Sequence, residues 1–216
     1  MNYGLMLADF ALLGALSPEE LIARTSIDGR DRLDSALAAG RGCIMAVPHM
    51  GSWDIGGSYA GALGLRIAAV TERFPGSLDE AVVQTRASFG LDVIPLGRSA
   101  VGAIGRALEA NSIVALLCDL PQGPGVEVEF FGRTAVVPGG PAAFAARTGA
   151  ALLPACVYRT SPGGYHIHLD EPLPVPKGRA DKAVQRSLMQ RVVGRFEDFI
   201  RERPEQWYAF RPLFGG

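Results

Sequence analysis

The sequence predicts an α/β fold: a single-domain, mixed and mostly parallel sheet flanked by helices. Short apolar runs alternate with helical segments along the chain. Most of these runs lack polar alternation, as expected of parallel strands covered on both faces. The 216 residues contain no repeat or linker and suit one hydrophobic core. We therefore expect one domain over residues 1–216, with residues 1–40 as an N-terminal helical segment.

Helix boundaries are marked by capping signals. Ser17-Pro18-Glu19-Glu20 combines a cap residue, a proline at the first helical position and a capping-box glutamate. Ser77-Leu78-Asp79-Glu80 repeats the capping-box pattern, and Gly90 marks the end of the helix that follows. The other predicted helices cover residues 5–16, 30–39, 99–110, 140–148 and 179–201.

Seven apolar runs predict the strands. The last two are separated by Thr-Ser-Pro-Gly-Gly, which indicates a hairpin and hence an antiparallel portion in the sheet. Right-handed crossovers join the parallel strands. The runs cover residues 43–47, 66–71, 92–96, 113–118, 126–130, 151–159 and 165–170.

Composition excludes several classes of protein. The formal net charge of −1 argues against a non-specific nucleic-acid binder. Cys43, Cys118 and Cys156 all lie within apolar runs without a C-x-x-C partner, which suits a reducing compartment. The apolar N-terminal run contains Asp9, is too short to span a bilayer and lacks a basic region before it. We expect a cytoplasmic protein.

The stretch PHMGSWDIGG, residues 48–57, carries the candidate chemistry. It follows a buried strand, at the edge where open α/β sheets bind their ligands. Across the strand-to-helix turn, Asp54 can reach back to His49, fix its tautomer and leave the other ring nitrogen free as a base. The alternatives are that Asp54 complements a helix N-terminus and that His49 is an ordinary loop histidine.

No protein nucleophile accompanies His49 in the sequence. Neither Ser52 nor Ser99 stands in a G-x-S-x-G turn. A histidine–aspartate pair without a nucleophile suits direct transfer, in which the histidine deprotonates a hydroxyl of the substrate.

The order of motifs resembles the glycerolipid acyltransferase superfamily. Within it, the chain is most similar to the lipid A late acyltransferases and the phosphatidylinositol mannoside acyltransferases. Ser52 departs from the asparagine usual in this family, and Tyr208-Ala209-Phe210 departs from its usual ending. The hydrophobic N-terminal segment of longer members is also absent from this sequence. Five blocks match in the same order. They are His49 to Asp54; Thr71-Glu72-Arg73; Cys118-Asp119 together with residues 126–132; residues 138–142 together with 148–150 and 153–154; and residues 204–208.

The resemblance implies transfer of a fatty acyl chain from acyl-CoA or acyl carrier protein to a hydroxyl of a lipid or glycolipid. It implies no metal and no cofactor beyond the acyl donor. His49, Asp54 and Glu72 are the implied catalytic residues, although Glu72 alternatively forms an ion pair with Arg73. Substrate binding is expected at Trp53, Arg73, Arg98, Asp119, Arg133, Gly139 and Gly140.

Arg98 and Arg133 follow glycines, and such arginines are suited to holding the phosphate of the donor's phosphopantetheine arm. Solvated loop charges are the alternative. His166-x-His168-x-Asp170 places three potential ligands on one face of a strand. No fourth ligand is evident, so we expect an exposed hairpin face rather than zinc.

Two other functions remain open at this point. One is a thioesterase or lipid esterase that uses the same histidine to activate water. The other is a catalytically silent lipid-binding module. For the acyltransferase we expect peripheral contact with the inner face of the cell membrane through the apolar residues 5–16 and neighbouring loops.

Overall fold

The computed structural model describes residues 2–73, 75–123, 125–161, 163–210 and 212–214. This part of the chain contains eight α-helices and nine strands. The helices are α1 (Asn2–Leu13), α2 (Pro18–Ala23), α3 (Arg30–Ala38), α4 (Trp53–Ala62), α5 (Ser77–Ser88), α6 (Ala100–Glu109), α7 (Gly140–Thr148) and α8 (Lys182–Glu202). The strands are β1 (Thr25–Asp28), β2 (Cys43–Val47), β3 (Ile67–Thr71), β4 (Leu91–Pro95), β5 (Ile113–Leu117), β6 (Gly125–Phe130), β7 (Arg133–Pro138), β8 (Ala151–Ser161) and β9 (Gly164–Leu169).

Seven strands form one sheet in the order β1-β9-β8-β2-β5-β3-β4. All neighbours are parallel except β8 and β9, which form the predicted antiparallel hairpin. Strands β6 and β7 form a separate antiparallel pair. The predicted fold class, a mixed and mostly parallel sheet flanked by helices, is confirmed.

Two strands were absent from the sequence-based prediction. Strand β1 has only four residues, TSID, and three of them are polar, so it reads as a loop. It pairs with β9 at the edge of the sheet, and residues 1–40 are therefore not purely helical. Strand β7, RTAVVP, begins directly after Gly132 and ends in proline. Glycine and proline at its ends are typical of a turn, so the short hairpin strand was not predicted.

The predicted helices are present, but some of their ends differ: the N-terminal helix covers Asn2–Leu13 rather than residues 5–16. Ser17 caps α2 through the predicted capping box with Glu20. By contrast, α5 begins at Ser77 with Gly76 as its N-cap residue, so Ser77 is not the cap. Asp181 caps the long helix α8 by accepting a hydrogen bond from the Val184 N–H.

Two apolar cores cover the two faces of the sheet. One core contains side chains of α2, α3 and α4, including Leu21, Leu33 and Ile55. The other contains side chains of α6, α7, α8 and the β6–β7 hairpin, including Leu108 and Phe196. This two-sided cover explains why the central strands are apolar throughout.

The predicted burial of the cysteines is confirmed. Cys43, Cys118 and Cys156 are free thiols with at most 2% of their surface exposed. Burial raises the pKa of the Cys43 thiol to about 12. These thiols therefore behave as small hydrophobic core residues at neutral pH.

None of the described helices combines the length and the apolar character that crossing a membrane requires. The longest, α8, has 21 residues and carries charged side chains along its length.

Candidate active site

The register of β2 and β5 brings together two residues that lie 70 positions apart. Val47 at the end of β2 lies beside Leu117 at the end of β5. His49 and Asp119 each follow two residues later, so they emerge side by side at the carboxyl edge of the sheet. The His49 Nδ1 atom lies 2.6 Å from Asp119 Oδ1. The fold therefore creates a histidine–aspartate pair at this edge.

Asp119 is fully buried and accepts hydrogen bonds at both oxygens. Its Oδ2 atom accepts the His49 backbone N–H at 3.0 Å and the Trp207 indole N–H at 2.8 Å. An ionised carboxylate can only accept, so the Nδ1 atom of His49 carries the proton that faces Oδ1. The second ring nitrogen, Nε2, is then unprotonated in the neutral imidazole. The side chain of His49 is 26% exposed, so the imidazole is partly accessible to solvent.

Asp54 does not form the expected contact with the imidazole. It lies in the first turn of α4 and accepts a hydrogen bond from the Arg86 Nε at 2.7 Å. Both side chains are nearly buried, with 12% and 7% exposed. An arginine on α5 thus holds this carboxylate in an ion pair, whereas Asp119 takes the place predicted for it beside His49. Local spacing alone could not reveal a partner 70 residues away.

The turn between β2 and α4 requires a glycine. Gly51 has a φ of +60°, and a Cβ at this position would lie 1.9 Å from the Val157 carbonyl oxygen. Any other residue would therefore displace the turn from β8 and move His49 with it.

Ser52, at the N-cap position of α4, does not cap the helix with its side chain. Its hydroxyl donates instead to Asp9 on α1. Asp9 also accepts hydrogen bonds from Arg159 on β8 and, at 2.9 Å, from the Tyr165 hydroxyl. Burial, and secondarily the neighbouring Asp9, raises the pKa of Tyr165 to about 12. This network ties the N-terminal helix to the turn that carries His49.

The sequence did not identify Asp9 as part of the site. It was noted only as a charge within an apolar run. The useful signal was its position: Asp9 is the one charged residue of the mostly apolar α1, and a lone carboxylate on such a helix needs a buried partner. Arg159, on a strand 150 residues away, is that partner.

Two of the other predicted residues, Trp53 and Glu72, lie at the same edge of the sheet as His49. The Trp53 ring makes an edge-to-face contact with the His49 ring, with centroids 5.6 Å apart. Glu72, after β3, accepts a hydrogen bond from Gln122, which follows Asp119 on the loop after β5. Because β5 lies between β2 and β3, the edge presents His49, Asp119 and Glu72 from three adjacent strands.

The arginines and glycines predicted to bind substrate differ in their exposure. Arg73 and Arg98 are exposed, and the exposed Arg133 lies over the Phe214 ring at 4.5 Å. Gly139 is the buried N-cap residue of α7, and Gly140 is the first residue of that helix. Within the described part of the chain, none of these residues forms a hydrogen bond, ion pair or ring contact with His49.

An apolar cavity of about 80 Å³ lies between α4 and the sheet. It is bordered by Trp53 and Asp54 at the start of α4, next to the His49 turn. Small side chains keep this space open, since larger ones would fill it. They include Gly56, Gly57, Ala60, Ala69 and Ala115.

The predicted His166-x-His168-x-Asp170 face is divided between two groups. Asp170 forms an ion pair with Arg195 on α8. His166 and His168 instead lie near Asp28 on β1, with one potential ligand atom from each of the three within 4.8 Å of the others. The ring nitrogens of His166 already have partners, with Ser26 Oγ at 2.8 Å and Asp28 Oδ2 at 3.2 Å. The contacts of His166 with Ser26 and Asp28 therefore explain why these side chains lie close together.

These features define an α/β protein with a histidine–aspartate pair and an adjoining apolar cavity at the carboxyl edge of its sheet. The chain belongs to the bacterial lipid A biosynthesis acyltransferase family, whose sequence profile matches residues 1–215. The resemblance described from the sequence motifs is thereby confirmed.

Two similar proteins carry the same name. The chain is 34% identical over 193 residues to a phosphatidylinositol mannoside acyltransferase of Mycobacterium tuberculosis strain H37Rv. It is 33% identical over 189 residues to the protein of the same name in Mycolicibacterium smegmatis. The alignments cover 86% and 84% of this chain. They cover only 58% and 60% of the two relatives, so the chain spans somewhat over half of their length.

Proposed function

We propose that the protein is an O-acyltransferase that moves a fatty acyl chain from a thioester to a hydroxyl of a lipid or glycolipid acceptor. The donor is acyl-CoA or acyl carrier protein. The observation that carries this proposal is the buried Asp119 that holds Nδ1 of the partly exposed His49 and leaves Nε2 as the unprotonated ring nitrogen. The matches to acyltransferases over most of the chain support it.

In this proposal, Nε2 of His49 accepts the proton of the acceptor hydroxyl as its oxygen attacks the thioester carbonyl. Asp119 stabilises the imidazolium that forms. The tetrahedral intermediate then collapses, the carbon–sulfur bond breaks and the departing thiolate takes the proton from the imidazolium. The chain needs no nucleophile of its own, in agreement with the absence of a G-x-S-x-G turn from the sequence.

The acyl chain is proposed to lie in the apolar cavity beside α4. Its lining of glycine, alanine and apolar side chains suits a hydrocarbon chain, and its border at Trp53 adjoins the His49 turn. Ala69→Leu would fill part of this space. We expect weaker use of long-chain donors and unchanged use of short-chain donors. Ala103→Leu, on α6 against the opposite core, is the control and should not alter chain-length preference.

Glu72 is proposed to contact the acceptor, because it extends from the strand end next to the Asp119 loop. Arg98 and Arg133 are the proposed contacts for the donor phosphate, since both are exposed cations, Arg98 on the loop before α6 and Arg133 at the start of β7. Alanine at such a position should raise the donor KM more than it lowers kcat. A truncated thioester without the phosphate should be insensitive to the same change.

Peripheral membrane contact through α1, at the inner face of the cell membrane, is proposed from its exposed apolar side chains. Leu7 and Leu12 are 51% and 57% exposed, and Phe210, whose ring contacts Tyr3 of α1, is 70% exposed. Co-sedimentation with vesicles measures this contact. Replacement of Leu7 and Leu12 by serine should release the protein from vesicles, and unchanged sedimentation would contradict the proposal.

The decisive experiment compares acyl transfer with hydrolysis. Purified protein is incubated with acyl-CoA or acyl carrier protein, with and without a phosphatidylinositol mannoside acceptor, and thiol release and acylated lipid are both measured. We expect thiol release that depends on acceptor and matches the product formed. His49→Ala should lower kcat by roughly 10²- to 10⁴-fold. Acceptor-independent thiol release would instead identify a thioesterase, and binding without turnover a lipid-binding module.

A further inference from the structure

The segment of residues 206–208, which follows α8, contacts both members of the histidine–aspartate pair. The Trp207 indole N–H donates to Asp119 Oδ2 at 2.8 Å. The Tyr208 backbone N–H donates to the His49 carbonyl oxygen at 2.8 Å. The Gly51 N–H donates to the Gln206 carbonyl oxygen, also at 2.8 Å. Three consecutive residues thus hold the His49 turn and its carboxylate together.

We propose that Trp207 is a positioning residue for the His49–Asp119 pair. This inference rests on the proposed function of that pair. An aspartate carboxylate rotates over a broad range about its last torsion, so a buried one needs fixed donors to hold a single orientation. The indole N–H and the His49 backbone N–H both bind Oδ2. Together they leave Oδ1 facing Nδ1 of the imidazole, as general-base chemistry requires.

An indole performs this task without neutralising the carboxylate. Arginine or lysine in the same place would pair with Asp119 and weaken its attraction for the imidazolium. The indole N–H is neutral and can only donate, so it orients the carboxylate and leaves its charge available to His49. Within the described residues, the donors to Asp119 are backbone, indole and imidazole N–H groups.

The position of the indole is itself fixed by packing. The Phe130 and Phe131 rings each lie 5.8 Å from the Trp207 ring, centroid to centroid. Next to it, the Gln206 side chain accepts the Arg159 N–H at 2.9 Å and donates to the Arg159 carbonyl at 3.0 Å. The donor is therefore held against β8 and the β6–β7 hairpin before any substrate binds.

The test is Trp207→Phe, which removes the N–H and keeps an aromatic ring. One hydrogen bond to a charged group is worth roughly a 10- to 100-fold change in an equilibrium, so we expect a loss in kcat of about that size. KM for donor and acceptor should stay unchanged, because the indole N–H is already bound to Asp119 and acts through His49. Phe199→Leu is the matched control: it removes a buried aromatic ring of α8 that contacts His168 and Phe196, and it leaves the Trp207 N–H in place. It should lower the melting temperature while retaining kcat.

A spectroscopic measurement separates positioning from general stability. The low-field proton NMR signal of His49 Nδ1–H is assigned by its loss in His49→Ala, and the chain has only three histidines. We expect this signal to move in Trp207→Phe and to stay in place in Phe199→Leu. An unmoved signal in Trp207→Phe, or equal kcat losses in the two variants, would overturn the role of Trp207. An active His49→Ala enzyme would instead end the proposed function, and the NMR comparison would still decide the contact.

Discussion

Two buried carboxylates hold the turn of residues 48–54 from opposite sides, and they differ in the charge of their partners. Asp9 is 8% exposed and Asp119 is fully buried. Asp9 binds Ser52, two residues before Asp54, and its charge is balanced by the Arg159 guanidinium. Asp119 binds His49 and has neutral N–H donors as its other partners.

This difference separates a structural carboxylate from a reactive one. A buried charge is costly unless it is paired, so the pair of Asp9 with Arg159 is complete in the resting protein. The charge of Asp119 is held only by hydrogen bonds and becomes fully paired when the imidazole takes up a proton. Asp54 is a structural carboxylate like Asp9, because its charge is already neutralised by Arg86.

The largest expected effect distinguishes Asp119 from Asp54. In Asp119→Asn the amide oxygen can satisfy the two donors at Oδ2, which turns the NH₂ group towards Nδ1. The imidazole would then adopt the opposite tautomer, with its proton on Nε2, and could not act as a base. We expect kcat to fall by roughly 10²- to 10⁴-fold. Asp54→Asn should retain most of the activity at a temperature where it is folded.

The contrary result is equally specific. If Asp54→Asn loses as much activity as Asp119→Asn and keeps the melting temperature of the wild type, the pairing expected from the sequence is right. Steady-state kinetics with thermal unfolding of both variants decides between the two.

The second effect is on stability and concerns Asp54. Asp54→Asn leaves the Arg86 charge buried without its counter-ion, which should lower the free energy of unfolding by about 3 kcal/mol. The control is Asp34→Asn, in the exposed ion pair with Arg30, whose side chains are 37% and 53% exposed. That change should cost at most about 0.5 kcal/mol. The free energy of unfolding is measured in urea. If Asp54→Asn and Asp34→Asn lower it equally, burial of the Asp54–Arg86 pair has no energetic consequence.

The smallest effect is a pH dependence in the Asp9 region. The pKa of Tyr165 is raised from its ordinary value of 10.0 to about 12, mainly by burial. A group with a raised pKa in the folded state stabilises the protein fully below its ordinary pKa, and this contribution disappears as the pH rises towards the folded value. The stability difference between wild type and Tyr165→Phe should therefore shrink from about pH 10 to 12. Ser52→Ala removes a partner of Asp9 that does not titrate in this range, so its difference should stay constant. If the stability difference between wild type and Tyr165→Phe does not change with pH, the raised pKa of Tyr165 is wrong.

Much of the fold was predictable because its signals are local. The five-residue apolar runs of β2 and β5, the capping box of α2 and the hairpin of β8 and β9 each follow from a few adjacent residues. Strand β1 was missed because a polar four-residue strand is defined by its partner β9 rather than by its own composition.

The candidate site was only half predictable. His49 follows from its position after a buried strand, and the carboxyl edge of the sheet follows from the topology. Its partner does not, since the register of β2 against β5 brings Asp119 to the imidazole across 70 residues. Asp54 is nearer in sequence, but the start of α4 places it beside Arg86 of α5.

The sequence by itself determined the alternation of strands and helices, the site edge and the histidine, since hydrophobic periodicity and turn chemistry act over a few residues. Only the tertiary structure decided which carboxylate serves His49 and which are neutralised by arginine. It also decided that Trp207, 88 residues from Asp119, supplies a third N–H to that carboxylate. The physical reason is that hydrogen bonds and ion pairs require contact distances of a few ångströms, and those distances are set by strand register and helix packing.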